Sequence, residues 1–134
     1  MSFAIERIDH VVLNCRDVES VADWYVRVLG MRREVFSGNR IALRFGDQKL
    51  NLRPTGAPNW PTGAADSPGS LDLCFITTAS PDEVEAQLRG AGVPIADGPV
   101  TKTGALGAMT SYYCRDPEGN LVEVASYPPS LACG

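Results

Sequence analysis

Two stretches of the chain repeat one succession of apolar and polar positions. Arg7 to Asn14 is rich in β-branched residues and short enough for a strand. Asp17 or Ser20 can cap a following helix whose apolar face is Val21, Trp24, Tyr25, Val28 and Leu29, and Gly30 ends it. Arg40–Arg44 and Lys49–Arg53 read as a hairpin around Phe45-Gly46-Asp47-Gln48, with Arg32–Phe36 an added strand. The order returns after residue 69. Ser70–Thr77 is a strand, Ser80 a cap with Pro81 at the first helical position, and the helix runs to Arg89. Thr110–Arg115 and Asn120–Tyr127 form a closing hairpin turned by Asp116-Pro117-Glu118-Gly119. Between the copies, residues 54–69 are rich in Pro and Gly and read as a linker or surface loop. The glycine-rich stretch Thr101 to Gly107 matches no phosphate-binding spacing and reads as a connection or a lid.

Strand alternation decides which side chains share a face. His10 points with Ile8, Val12 and Asn14, Asp72 with Ser70, Cys74 and Ile76, and Glu123 with Leu121 and Ala125. His10 lies as far before Gly30 as Asp72 lies before Gly92, so the repeat makes His10 and Asp72 equivalent on the opening strands. Asn51 and Glu123 are equivalent on the closing strands, with Arg53 on the Asn51 face. An imidazole, two carboxylates and an amide suit a divalent first-row ion, and buried carboxylates are costly unless paired or metal-bound. The plainer readings stand beside that one: a hydrogen-bonded core histidine, an Asp72 that caps a turn or pairs with arginine, an outward Glu123, a surface Arg53.

Composition narrows the classes. With 134 residues and 44% hydrophobic content the chain forms one domain, 1–134, of two modules, 5–53 and 70–127, joined by the loop 54–69. A net charge of −4 gives no basic footprint for nucleic acid or an anionic membrane. No apolar run is long enough for a membrane span and the N-terminal residues do not pattern as a signal, so the cytoplasm is the expected location. Cys15, Cys74, Cys114 and Cys133 form no CxxC pair and read as buried apolar residues of a reducing compartment.

Ile8-Asp9-His10-Val11-Val12-Leu13, then Trp24-Tyr25 with Val28-Leu29-Gly30-Met31, and Arg115-Asp116-Pro117-Glu118-Gly119-Asn120-Leu121-Val122-Glu123 resemble the glyoxalase, bleomycin-resistance and ring-cleaving dioxygenase superfamily, also called vicinal oxygen chelate. The resemblance runs from about Ile5 to Tyr127. Phe45-Gly46-Asp47-Gln48-Lys49-Leu50-Asn51-Leu52, Pro68-Gly69-Ser70-Leu71-Asp72-Leu73 and Gly98-Pro99-Val100 with Thr103-Gly104-Ala105 are similar to the subgroup named glyoxalase domain-containing protein 5, whose bacterial members are often labelled as related to biphenyl-diol dioxygenases or lactoylglutathione lyases.

That resemblance implies an α+β fold of two βαβββ modules forming a cup-shaped mixed sheet, commonly in a homodimer. It implies one divalent metal (Mn, Fe, Ni, Co or Zn) held by His10, Asp72 and Glu123, with Glu123 as catalytic base. Asn51 stands at the fourth ligand position, where glyoxalase I has Glu. Substrate contacts fall to Asn51, Arg53, Ser111 and Tyr113, the last two on one face of their strand. Three activities stay open for a small-molecule substrate: a glyoxalase-like lyase or isomerase, an extradiol-type dioxygenase, for which a single histidine is one too few, and a metal-free binding or resistance protein.

Overall fold

The computed structural model describes residues 2–129 and divides into two compact units, Met1–Pro68 and Gly69–Gly134. Cys133 lies outside the described residues.

The first unit runs β1 (His10–Cys15), α1 (Val18–Leu29), β2 (Arg32–Phe36), β3 (Arg40–Phe45) and β4 (Gln48–Pro54), with spatial order β1-β4-β3-β2. β1 is parallel to β4 and the other pairs are antiparallel. Asp17 starts α1 by accepting the Ser20 backbone N–H, and Gly30 ends it at φ 69°, a left-handed position that costs glycine nothing. Leu13 and Cys15 on β1, Ile41 and Leu43 on β3, and Leu50 and Leu52 on β4 are buried on the face against which α1 packs Val21, Tyr25 and Val28. Alternate residues therefore make the opposite, open face of the sheet.

The second unit repeats this as β5 (Asp72–Ile76), α2 (Pro81–Gly90), β6 (Asp97–Gly104), β7 (Gly107–Arg115) and β8 (Leu121–Ser126), ordered β5-β8-β7-β6. A capping box joins Ser80 and Glu83 at the start of α2. Tyr112, Cys114, Val122 and Val124 are buried on the helix side with Val84 and Leu88. The chain thus forms two four-stranded mixed sheets, an α+β fold of two βαβββ modules.

Three readings of the sequence change. The first strand opens at His10 rather than Arg7. The stretch Thr101 to Gly107 is not a free connection: it ends β6, turns at Ala105-Leu106 and opens β7, pairing Thr103 with Ala108 and Gly104 with Gly107. Cys74 is exposed rather than buried. Among the described residues no helix is long and apolar enough to cross a membrane.

Candidate functional site

The turn that gives the second module its signature is a hydrogen-bonded scaffold for β8. Asp116, 5% exposed, accepts the backbone N–H groups of Glu118 and Asn120 and the Asn120 side-chain amide. Asn120 Oδ1 in turn accepts the Leu71 N–H at 3.0 Å, which ties the start of β8 to the start of β5. These bonds fix the register that sets Cys74 and Tyr113 directly opposite Glu123, one on each neighbouring strand.

Glu123 is buried, and Ser111 Oγ donates to its Oε2 at 2.6 Å. Tyr113 and Cys74 flank it from the two neighbouring strands, and its charge acts on both. Burial pushes the Tyr113 phenol up to about 12, the neighbouring Glu123 carboxylate adding to it. Cys74 is exposed overall, yet partial burial of its thiol and the Glu123 charge push it up to about 11. Both keep their protons at neutral pH. Asp72 opens β5 on the same face, exposed, and its charge adds to both shifts. Tyr112 has the other parity and donates to Glu85 on α2 at 2.9 Å. Ser111 and Tyr113 therefore share the face of Glu123, as their alternation requires.

In the first module, register places Asn51 where the second has Glu123, and Val12 and Ala42 where it has Cys74 and Tyr113. Neither Val12 nor Ala42 can donate a hydrogen bond from its side chain. Asn51 is 7% exposed and its Oδ1 is buried with no partner. His10 is exposed at the start of β1, two residues before Val12, as Asp72 is two residues before Cys74. Its Nδ1 lies 2.9 Å from Asp9 Oδ1, a bond that holds the Asp9 carboxyl below its usual range and leaves Nε2 for another partner. Arg53 is buried and committed to the 54–69 segment: it donates to the Trp60 and Ala57 carbonyls, to Asn14 Oδ1 and to Asp66. Sequence reasoning passed over Asp9 and Cys74. Adjacency to His10 was the signal for the first, and shared parity with Asp72 the signal for the second.

The donor types fit a divalent first-row ion. A carboxylate on the far nitrogen of a histidine fixes its tautomer for metal binding, and a buried amide oxygen without a partner is a spare ligand atom. His10 belongs to the first unit and Asp72 and Glu123 to the second. Among the described residues no three His, Cys, Asp or Glu side chains are grouped to hold an ion.

The chain belongs to the Glyoxalase/Bleomycin resistance protein/Dioxygenase superfamily, whose family model matches residues 7–124. Virulence protein STM3117 of Salmonella typhimurium is 44% identical over 123 residues, covering 92% of this chain and 85% of that protein. Glyoxalase domain-containing protein RDO1 of Mycosarcoma maydis is 40% identical over 124 residues, covering 92% and 70%. The structure of an integron cassette protein from the mobile metagenome of V. cholerae matches with a TM-score of 0.93 at 43% identity, over 96% of this chain and all, 100%, of that one. At 22% and 24% identity, lactoylglutathione lyase from Agrobacterium tumefaciens (TM-score 0.71, covering 92% and 95%) and TnmS3, an antibiotic binding protein from Streptomyces sp. CB03234 (TM-score 0.72, covering 95% and 100%), share the fold alone.

Proposed function

We propose that this chain is a metal-dependent lyase or isomerase of the superfamily, acting on a small oxygenated metabolite, with His10, Asp72 and Glu123 holding one divalent ion (Mn, Fe, Ni, Co or Zn). The observation that carries the reading is Glu123: a carboxylate kept at 8% exposure on the open face of a sheet, its Oε2 held by Ser111 at 2.6 Å. Packing alone gives no reason for a carboxylate there, because leucine or valine would fill the position without the desolvation cost. The ion, when bound, supplies a Lewis acid for a substrate oxygen.

The chain's own residues do the rest. Glu123 accepts a proton from the substrate carbon or hydroxyl beside it, with Ser111 Oγ holding its Oε2 in place. Tyr113, still protonated at neutral pH, can donate to a substrate oxygen on the same face. Asp9 steers the His10 ring. Asn51 offers an acceptor to the substrate, while Arg53 contributes through the loop it holds. The reading includes assignment to the glyoxalase domain-containing protein 5 subgroup, a homodimer and a cytoplasmic location.

A second reading, a metal-free cup that binds a small molecule, is favoured by one observation: the Glu123 carboxylate already has a close donor in its own module, Ser111 Oγ at 2.6 Å. Elemental analysis of untagged protein separates the two. Close to one equivalent of metal per chain, lost in both His10→Ala and Glu123→Ala, is expected. No metal in the purified protein and none taken up on titration with Mn²⁺, Fe²⁺ or Zn²⁺ leaves the binding reading. The extradiol alternative needs oxygen uptake with a catechol, which is not expected from a chain whose histidine count is 1.

A further inference from the structure

The open face of the first module is basic in a chain whose net charge is −4. Arg32, Arg44, Lys49 and His10 stand directly opposite one another in a row across β2, β3, β4 and β1. Like charges in register destabilise a sheet. Two carboxylates offset the row in part: Glu34 pairs with Arg44 and also feels Arg32 and Lys49, and Asp9 is bonded to His10. Two cations of this face rest on aromatic rings instead. The Lys49 ammonium lies 3.9 Å from the Phe36 ring centroid, and the Arg40 guanidinium carbon 4.0 Å from that of Trp60. A cation held over a ring keeps its hydrogen-bond donors for something else.

Asn51 follows Lys49 by two residues on this face, its Oδ1 buried and unpartnered between Val12 and Ala42. Lys49 stands on β4 and Phe36 on β2, so their contact carries the Lys49 side chain across β3, beside the Asn51 row. Unpaired positive charge next to an unsatisfied acceptor specifies a complementary ligand. Its charge is negative, and beside the charge it carries a hydroxyl to donate to Asn51.

We propose that the open face of the first module binds a small hydroxylated anion, a 2-hydroxycarboxylate in its simplest form, with Lys49 and Arg40 meeting the charge and Asn51 Oδ1 accepting the hydroxyl. The ring contact holding Lys49 is a weak one, so its flexible stem can swing to an anion. An anion also relieves the like-charge row. This deepens the proposed function by naming a substrate class and rests on that reading only for the link to chemistry.

The test uses chelator-treated protein, so metal loss and anion loss are read separately. Three probes are titrated by calorimetry: malate, succinate, which keeps the charges and lacks the hydroxyl, and malamide, which keeps the hydroxyl and lacks the charges. Malate is expected to bind about tenfold or more tightly than either. Lys49→Met should abolish the preference over malamide, and Asn51→Leu the preference over succinate. Should Asn51→Leu fail to fold, Asn51→Ala serves. Equal binding of all three probes, saturable binding by none, or preferences unchanged in folded variants overturns the proposal. Normal metal content together with any of those results leaves the proposed function standing and this inference gone.

Discussion

Arg53 anchors the segment after β4 with bonds from its Nε and both terminal nitrogens, to the Trp60 and Ala57 carbonyls and to the Asn14 and Asp66 side chains. A lysine has one ammonium and cannot span those directions. Arg53→Lys should therefore lower stability by about 1–3 kcal/mol in urea titration and raise amide exchange through residues 55–66, with little change in metal content. Cys114 gives a pH dependence. Burial, with the Asp116 charge adding, pushes its thiol up to about 11, whereas in the unfolded chain it ionises near its ordinary value of about 8.5. Across that window the unfolded chain has lost a proton that the folded chain keeps. The contribution of Cys114 is whole below the window and falls as pH rises through it. Cys114→Ala should flatten the alkaline decline in urea midpoint, and an unchanged slope would show that the thiol does not titrate this way.

At the scale of elements, β6 decides how well the penultimate strand is held. Gly98 sits at φ 122°, and a Cβ there would meet the Ser111 carbonyl at 2.7 Å and Tyr112 Cα at 2.9 Å. Gly98→Ala should cost about 1–3 kcal/mol and displace Ser111 from Glu123, read as a change in the Ser111 amide resonance alongside a lower Tm. Ser80→Ala removes one side of the capping box and should cost about 1 kcal/mol in thermal unfolding, without that resonance change. Both helices, both hairpins and the Ser80 cap were legible because each has a local cause: an apolar stripe, a capping side chain, a tight turn. β6 was not legible. Asp97-Gly98-Pro99-Val100-Thr101-Lys102-Thr103-Gly104 carries little apolar alternation, and its order comes from β7 beside it. The face of Tyr113 followed from parity once Glu123 was placed, yet the saturation of Arg53 depends on carbonyls of a loop whose path no local pattern encodes.

For the whole molecule, the first sheet presents Arg32, Arg40, Arg44 and Lys49 on its open face, and the second presents Asp72, Glu123 and hydroxyl or thiol donors. Under the proposed metal reading, His10→Ala and Glu123→Ala should each abolish the bound ion. Metal kept in either variant, seen by elemental analysis, would strike that residue from the ligands. The register also matches the two copies position for position. Toward the helices the pairs Val11 and Leu73, Leu13 and Phe75, Leu50 and Val122, Leu52 and Val124 stay apolar throughout. On the other face the counterparts are His10 and Asp72, Val12 and Cys74, Asn51 and Glu123, with no shared chemistry. A strand that gives alternate positions to cohesion and the ones between to chemistry lets the second set be rewritten while the first is left untouched. Reprogramming specificity in such a protein is a matter of editing every other letter.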